Sequence, residues 1–123
     1  MTDGAIDVAA LKRLLRVIGG DTEDLRELLD EFLETAPDLA ASITSAAMAG
    51  NRDDLRIASH TLKSNARDFG AIRLSELCAE LERDCREEGL MDPRAAAARI
   101  SEEEMVARRA LGALSLEGLE QDP

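Results

Sequence analysis

The sequence predicts an all-α protein. Apolar residues recur at spacings of three and four along most of the chain, which is the period of an amphipathic helix. Only three prolines occur in 123 residues, and no segment alternates strictly as a half-buried strand would. Hydrophobic residues make up 45% of the chain but aromatic residues only 2%, so the core must be built largely from Leu, Ile, Val, Met and Ala. Such side chains favour helix formation and suit close helix packing.

The first two predicted helices are separated by a glycine pair. The first spans about residues 6–18, and Asp21 or Thr22 then caps the second, whose apolar rhythm continues to Gly50. Pro37 lies inside this rhythm, so either one long helix bends there or a further helix begins with proline in its first turn. Because the rhythm continues past the proline, we favour a single long, bent helix.

Three more helices follow. Asn51 or Asp53 caps the third, which ends at Gly70, a residue suited to the left-handed position after a helix. The fourth is closed by Glu87-Glu88-Gly89, and Asp92-Pro93 opens the fifth with a capping carboxylate before a proline. The residues expected to face inward from the fifth helix are Ile100, Ala107, Leu111 and Leu114.

Short loops between long amphipathic helices force neighbouring helices to run antiparallel. The second to fifth helices therefore form an up-down-up-down four-helix bundle, and the first helix is left to cap one end. We expect one domain over residues 1–123 with its core at about 6–114, and a tail at 115–123 that frays because it lacks apolar rhythm. The triplet Glu102-Glu103-Glu104 is expected to be a solvated helix face.

The charge balance excludes several classes of partner. Fifteen Lys and Arg against 26 Asp and Glu give a net charge of -11, which would repel a phosphate backbone, so nucleic acid is not expected as a partner. No apolar stretch approaches the roughly 18 residues that span a membrane. Residues 1–4 lack the cationic and apolar regions of a signal peptide. We therefore expect a cytoplasmic protein that does not bind membranes.

The two cysteines are expected to be reduced packing residues. Cys78 and Cys85 lie seven residues apart on one predicted helix, so their Cα atoms would be about 10 Å apart, too far for a disulfide. A zinc site would need two more ligands, and the only histidine lies on another predicted helix. We expect no metal site in this chain.

The only histidine, His60, is predicted to face water. At about 100° per residue, the third helix buries a stripe about 80° wide. That stripe consists of Leu55, Ala58, Leu62, Ala66 and Phe69. A polar face centred about 140° away contains His60, Lys63, Ser64 and Arg67, with Arg56 beside them.

This polar face has the chemistry needed for phosphoryl transfer. A solvent-exposed imidazole is mostly neutral at pH 7, and a neutral imidazole is a nucleophile that can attack phosphorus. Lys63 and Arg67 lie one and two turns beyond His60, where they can stabilise the charge of a phosphohistidine. Phosphoryl transfer demands little else of a protein beyond positioning and electrostatic stabilisation. The small Ser64 leaves space for a partner's backbone, and Ile57 offers an apolar contact.

A family resemblance follows from these residues. The run Ser59-His60-Thr61-Leu62-Lys63-Ser64, followed by Phe69-Gly70-Ala71, resembles the signature of histidine-containing phosphotransfer (HPt) domains, the carriers of multi-step phosphorelays. Leu25-x-x-Leu28-Leu29-x-x-Phe32 upstream and Leu77-Cys78-Ala79-Glu80-Leu81-Glu82 downstream also match, so the resemblance covers about residues 6–114. One departure is Ser64, where the family often has glycine.

The resemblance implies both the site and its partners. It implies that His60 is phosphorylated, that Lys63 assists the phosphoryl group and that Arg67 is a further candidate for this role. It implies response-regulator receiver domains and a hybrid histidine kinase as partners. The receivers supply the accepting aspartate and Mg²⁺, so no cofactor is expected here. Candidate contacts are Arg56, Ile57, Ser64 and Arg67.

The expected function is that of a monomeric carrier. It reversibly accepts a phosphoryl group from a receiver aspartyl phosphate and passes it to another receiver, without ATP-dependent kinase activity of its own. One alternative is the phosphoacceptor and dimerisation domain of a histidine kinase, but these usually have an acidic residue where Thr61 stands, and no glycine-rich nucleotide loop is present. A non-catalytic helical adaptor that binds a receiver is a second alternative. A metal-dependent hydrolase lacks its ligand set.

Overall fold

The computed structural model describes residues 6–87 and 92–121, and within these ranges every regular element is helical. The α-helices are α1 (Val8–Val17), α2 (Thr22–Ala49), α3 (Arg52–Asp68), α4 (Ile72–Glu87) and α5 (Pro93–Gly112), followed by a 3₁₀ helix at Glu117–Gln121. The expectations for residues 1–4, for Glu88-Gly89 and for the last two residues of the tail lie outside the described ranges. None of these helices is long and apolar enough to cross a membrane.

The predicted helix starts are confirmed by their capping hydrogen bonds. The side chains of Asp21, Asn51 and Asp92 each accept a hydrogen bond from a backbone N–H in the first turn of α2, α3 and α5, respectively. Each cap satisfies a donor that the helix itself leaves without a partner. The sequence therefore fixes where these three helices begin.

The α-helices form a bundle around one core, as predicted. Helix α2 packs against α3 and α5, and α4 packs against the same two helices, which is the contact order of a four-helix bundle. Loops of two and three residues join α2 to α3 and α3 to α4, so consecutive helices run antiparallel. Helix α1 contacts α2 and α3 and takes the capping position expected for it.

The presence of Pro37 allowed either one long helix or two shorter ones in this part of the sequence, and the structure has one, helix α2. It continues through Pro37 as one helix of 28 residues, as we favoured. Leu25, Leu29 and Ile43 on this helix are fully buried. The ring of Phe32 stacks on that of Phe69 at the end of α3, with ring centroids 4.8 Å apart. Helix α2 therefore anchors the core on which α3 is positioned.

The tail after α5 does not fray as predicted over the part that the structure describes. Leu116 and Leu119 are buried in the core, and the 3₁₀ helix contacts α1. Two leucines three residues apart lie on one side of a 3₁₀ turn, so both can face the bundle together. A single turn is too short to show apolar rhythm, which is why the sequence analysis missed it.

The triplet of glutamates on α5 is also not a uniformly solvated face. Glu104 is buried and accepts two hydrogen bonds from the Arg108 guanidinium, at 2.8 and 3.2 Å. Glu103 pairs with Arg73 of α4 at 3.1 Å. Glu104 lies between the inward residues Ile100 and Ala107 on the helix, so its position faces the core, and burial of the carboxylate is made possible by the arginine one turn later.

The turn between α3 and α4 depends on a glycine. Gly70 has φ = +78°, and its carbonyl accepts a hydrogen bond of 2.7 Å from the backbone N–H of Asp7, the cap of α1. A Cβ on Gly70 would overlap the carbonyl oxygen of Asp7. This close approach ties the start of α1 to the end of α3.

We expect Gly70→Ala to destabilise the bundle more than Gly50→Ala. Gly50 also has positive φ (+68°), but a Cβ there would meet nothing within 4 Å. Gly50→Ala should therefore cost roughly 1–2 kcal/mol for the left-handed backbone alone, whereas overpacking at Gly70 should add about 1 kcal/mol or more. Urea unfolding of both variants measures this difference. Equal losses of unfolding free energy would contradict the close approach at Gly70.

Candidate functional site

His60 lies in the middle of α3, on the side that faces α4. Its side chain is 55% exposed to solvent, which confirms the prediction that the imidazole faces water. The neighbouring positions Leu55, Ala58 and Leu62 are buried, as the helical stripe requires. The ring is therefore accessible to a partner while its helix is held firmly in the core.

A single carboxylate on α4 organises the site. The Glu82 side chain is only 4% exposed, and three side chains bind it. Its Oε2 lies 3.0 Å from His60 Nδ1 and 2.8 Å from Arg86 Nη2, and its Oε1 lies 2.6 Å from Lys63 Nζ. Lys63 is one turn beyond His60 on α3, and Arg86 is one turn beyond Glu82 on α4. The carboxylate thus links the two helices through the residues that surround the imidazole.

These partners keep Glu82 ionised. Burial by itself would raise the pKa of the Glu82 carboxyl, but the hydrogen bonds from Lys63 and His60, with their attraction for its charge, outweigh burial and hold the pKa below its usual value of 4.5. At neutral pH Glu82 is therefore a carboxylate, which accepts hydrogen bonds and donates none.

The carboxylate determines which nitrogen of the ring is available for reaction. Since Glu82 can only accept, the 3.0 Å contact requires the proton on His60 Nδ1, which donates to Glu82 Oε2. In the neutral ring the lone pair is then on Nε2. The geometry therefore gives an exposed imidazole with a defined tautomer and a free nucleophilic nitrogen.

Two polar contacts lie behind the site, one between α3 and α4 and one within α3. The Ser75 hydroxyl of α4 donates to the backbone carbonyl of Lys63 at 3.2 Å, and the buried Ser59 hydroxyl donates to the carbonyl of Leu55 at 2.7 Å. Cys78 lies one turn before Glu82 and is fully buried. Burial, with the nearby charge of Glu82, raises the pKa of the Cys78 thiol to about 12, so this thiol is a packing residue.

Both cysteines match their prediction. Cys78 and Cys85 are buried and free, and burial also raises the pKa of the Cys85 thiol. In the described ranges, no cluster of three or more His, Cys, Asp or Glu side chains is placed to hold a metal ion.

The structure brings only some of the predicted site residues together. Lys63 joins His60 at Glu82, but Arg67 is exposed and forms no ion pair within the described part of the chain. Arg56 and Ser64 are half-buried beside the histidine on α3. Ile57 is 53% exposed and lines an open groove of about 640 Å³ between α2 and α3.

Sequence reasoning assigned no role to Glu82 or Arg86. A signal for Glu82 was present, because it follows Cys78 by four residues and Leu81 by one and so lies on the inward face of α4. An acidic residue on a buried face requires a cationic partner. Arg86 could have been identified next, as the basic residue one turn after that acid.

Glu82 should make the stability of the protein depend on pH in a defined direction. Its folded-state pKa is lowered, so the stabilisation from the carboxylate is complete above its ordinary value of 4.5 and is lost as the pH falls through the folded-state value. We expect the difference in unfolding free energy between the wild type and Glu82→Gln to be largest near neutral pH and to shrink below pH 4.5. Urea unfolding at several pH values measures it, and a difference that grows on acidification would contradict the assignment.

Comparisons with known proteins identify the family of this chain. The family model of the Hpt domain matches residues 27–118, well over half of the chain. The fold is similar to the crystal structure of histidine-containing phosphotransfer protein B (HptB) from Pseudomonas aeruginosa PAO1. The TM-score is 0.81 at 23% sequence identity, with 99% of this chain and 100% of that chain covered. A search of curated proteins finds no match. From its match to the family model, the chain belongs to the Hpt domain family.

Proposed function

We propose that His60 is the residue on which this Hpt domain carries the phosphoryl group, and that Nε2 is the atom that receives it. As a member of its family, the chain is a phosphorelay carrier that reversibly accepts a phosphoryl group from a receiver aspartyl phosphate and passes it to another receiver. The observation that supports His60 is the exposed ring whose Nδ1–H is held by the buried Glu82 carboxylate.

The proposed transfer needs no group on this chain beyond the imidazole and its surroundings. The Nε2 lone pair attacks the phosphorus of the aspartyl phosphate, a N–P bond forms, and the P–O bond to the aspartate breaks. The aspartate leaves as a carboxylate with the electron pair of that bond. The Nδ1 proton stays on the ring, and the positive charge that develops there is stabilised by Glu82 at 3.0 Å. The same steps in reverse deliver the phosphoryl group to a second receiver.

Two cations beside the ring support phosphoryl binding. Lys63 and Arg86 both pair with Glu82, and together with that carboxylate they leave a local charge of +1 in a chain of -11. Flexible side chains of this kind can reach a phosphoryl group attached to a neighbouring ring. We propose that Mg²⁺ comes with the receiver domain and that this chain contributes only Lys63 and Arg86.

The surface beside His60 is the proposed receiver contact. Ile57 and the groove between α2 and α3 provide apolar area next to the histidine, and Arg56 and Arg67 provide positive charge on the same helix. The half-buried Ser64 leaves the approach to the ring open. We further propose that the protein works as a cytoplasmic monomer, since none of these residues requires a second copy of the chain.

We expect His60→Gln to abolish phosphoryl acceptance. After incubation with a phosphorylated receiver domain, the wild type should acquire an acid-labile, alkali-stable phosphate, as a phosphohistidine does. Glutamine lacks the nucleophilic nitrogen, so the variant should acquire none, while its circular dichroism should stay helical because position 60 is exposed. Phosphate that arrives equally well on the variant would contradict the assignment of His60.

We expect Lys63→Ala to slow transfer more than Arg67→Ala. Lys63 lies at the carboxylate beside the ring, whereas Arg67 is exposed two turns away from His60. Loss of about 1.4 kcal/mol of stabilisation in the transition state slows a reaction roughly tenfold, which is the effect expected for Lys63. Rapid-quench measurement of transfer from the same receiver tests both variants. Equal rates for Lys63→Ala and the wild type would remove Lys63 from the mechanism.

A further inference from the structure

We propose that Glu82 keeps the phosphohistidine short-lived, so that the carrier exchanges its phosphoryl group readily and does not store it. This inference rests on the proposed function, because it concerns the phosphorylated form of His60. Glu82 is a positioning residue here, since it acts through the ring and through the cations around it. Two features of its contacts support the proposal independently.

The first feature is the ring proton. Once the N–P bond has formed, the ring has phosphorus on Nε2 and hydrogen on Nδ1, and it is positively charged. From this form the phosphoryl group leaves a neutral imidazole, whereas from the deprotonated form it would have to leave an imidazolate, a far poorer leaving group. Glu82 Oε2 accepts a hydrogen bond from Nδ1–H at 3.0 Å, and Glu82 is buried as a carboxylate. It therefore favours the protonated, labile form of the ring.

The second feature is competition for cations. In the free carrier, cations that neutralise the phosphoryl oxygens slow hydrolysis, because the negative charge of the phosphoryl group helps to expel the leaving group. This differs from transfer inside a receiver complex, where Lys63 is expected to stabilise the transition state. Lys63 and Arg86 are already bound to Glu82, at 2.6 and 2.8 Å. The phosphoryl group must therefore share these cations with a carboxylate that cannot move away, since its side chain is 96% covered by the protein. Both features shorten the lifetime of the phosphorylated state.

No other described carboxylate hydrogen-bonds the imidazole. The charged residues that face this region from α3 and α4 are Asp53, Arg56, Lys63, Arg67, Glu82, Arg83, Arg86 and Glu87. Asp53 is two turns from His60, about 10 Å along the helix, where solvent screens its charge. Glu87 is exposed and lies five residues beyond Glu82 on α4, where solvent screens its charge. The remaining groups are cationic, so their effect on the ring proton is opposite to that of Glu82.

The test is the lifetime of the phosphohistidine in Glu82→Gln. Glutamine retains an oxygen that can accept from Nδ1–H but removes the charge and releases Lys63 and Arg86. Wild type and variant are phosphorylated with phosphoramidate, freed of reagent, and followed by ³¹P NMR from pH 5 to pH 9. We expect the half-life near pH 7.5 to be roughly tenfold longer in the variant, because removal of one adjacent charge typically alters a protonation equilibrium by about that factor. As the pH is raised, the phosphorylated ring loses its proton and hydrolysis slows. We expect this slowing to occur at a lower pH in Glu82→Gln than in the wild type.

Glu80→Gln is the matched control. It makes the same change of charge on the same helix, but Glu80 is exposed and lies about 160° around α4 from Glu82. Its half-life should equal that of the wild type. If Glu82→Gln unfolds, the pH dependence of hydrolysis is compared between the folded wild type and the wild type unfolded in urea. Unfolding also separates the ring from the carboxylate, so hydrolysis should slow at a lower pH in urea.

The possible failures are distinguishable. If the wild type forms no phosphohistidine at His60, the proposed function is wrong. If His60 is phosphorylated and the half-life in Glu82→Gln is unchanged or shorter, only the present inference is wrong.

Discussion

The site depends on one buried carboxylate placed between two helices. Glu82 can be buried with its charge because His60, Lys63 and Arg86 each satisfy it, and none of them is itself fully buried. The same contacts fix the tautomer of the imidazole and hold two cations beside it. The Glu82 carboxylate therefore contributes to both stability and reactivity. Removal of its charge would alter the packing of α3 against α4 and the reactivity of the imidazole ring.

The rest of the bundle serves to keep α3 and α4 in register. Ser75 ties α4 to the backbone of Lys63, and Gly70 allows a turn tight enough to bring the two helices together. On the other side, the stack of Phe32 on Phe69 fixes the end of α3 against α2. A shift of one residue along α4 would move Glu82 by about 1.5 Å and 100°, and the same shift along α3 would move His60 and Lys63 by as much. Either shift would break the contacts between them. Such precision requires the rigid, close-packed core that the bundle provides.

The fold was predictable from the sequence because its signals are local. Helix starts at Asp21, Asn51 and Asp92, the helical period and the glycine stops each depend on residues a few positions apart. The exposed position of His60 followed from the same period. The sequence around His60 predicted the Hpt family. The match of the family model to residues 27–118 confirms that membership.

What the sequence analysis missed depends on contacts between distant residues. Glu82 and His60 are 22 positions apart, and no helical pattern within α3 reveals a partner on α4. The burial of Leu116 against the bundle was missed because one 3₁₀ turn has no measurable period. Arg67 was predicted because spacing within α3 was the only guide to distance. Arg86 received no prediction, because only the tertiary fold brings this residue of α4 to Glu82.

The hydrogen bond from His60 Nδ1 to Glu82 can be observed by NMR of the ring nitrogens. His60 is the only histidine, so a long-range ¹H–¹⁵N spectrum of the unphosphorylated protein near pH 8 contains a single imidazole pattern. We expect a protonated Nδ1 and an unprotonated Nε2 with the chemical shift of a nitrogen that has a free lone pair. A proton on Nε2, or two nitrogens averaged by rapid tautomer exchange, would contradict this hydrogen bond.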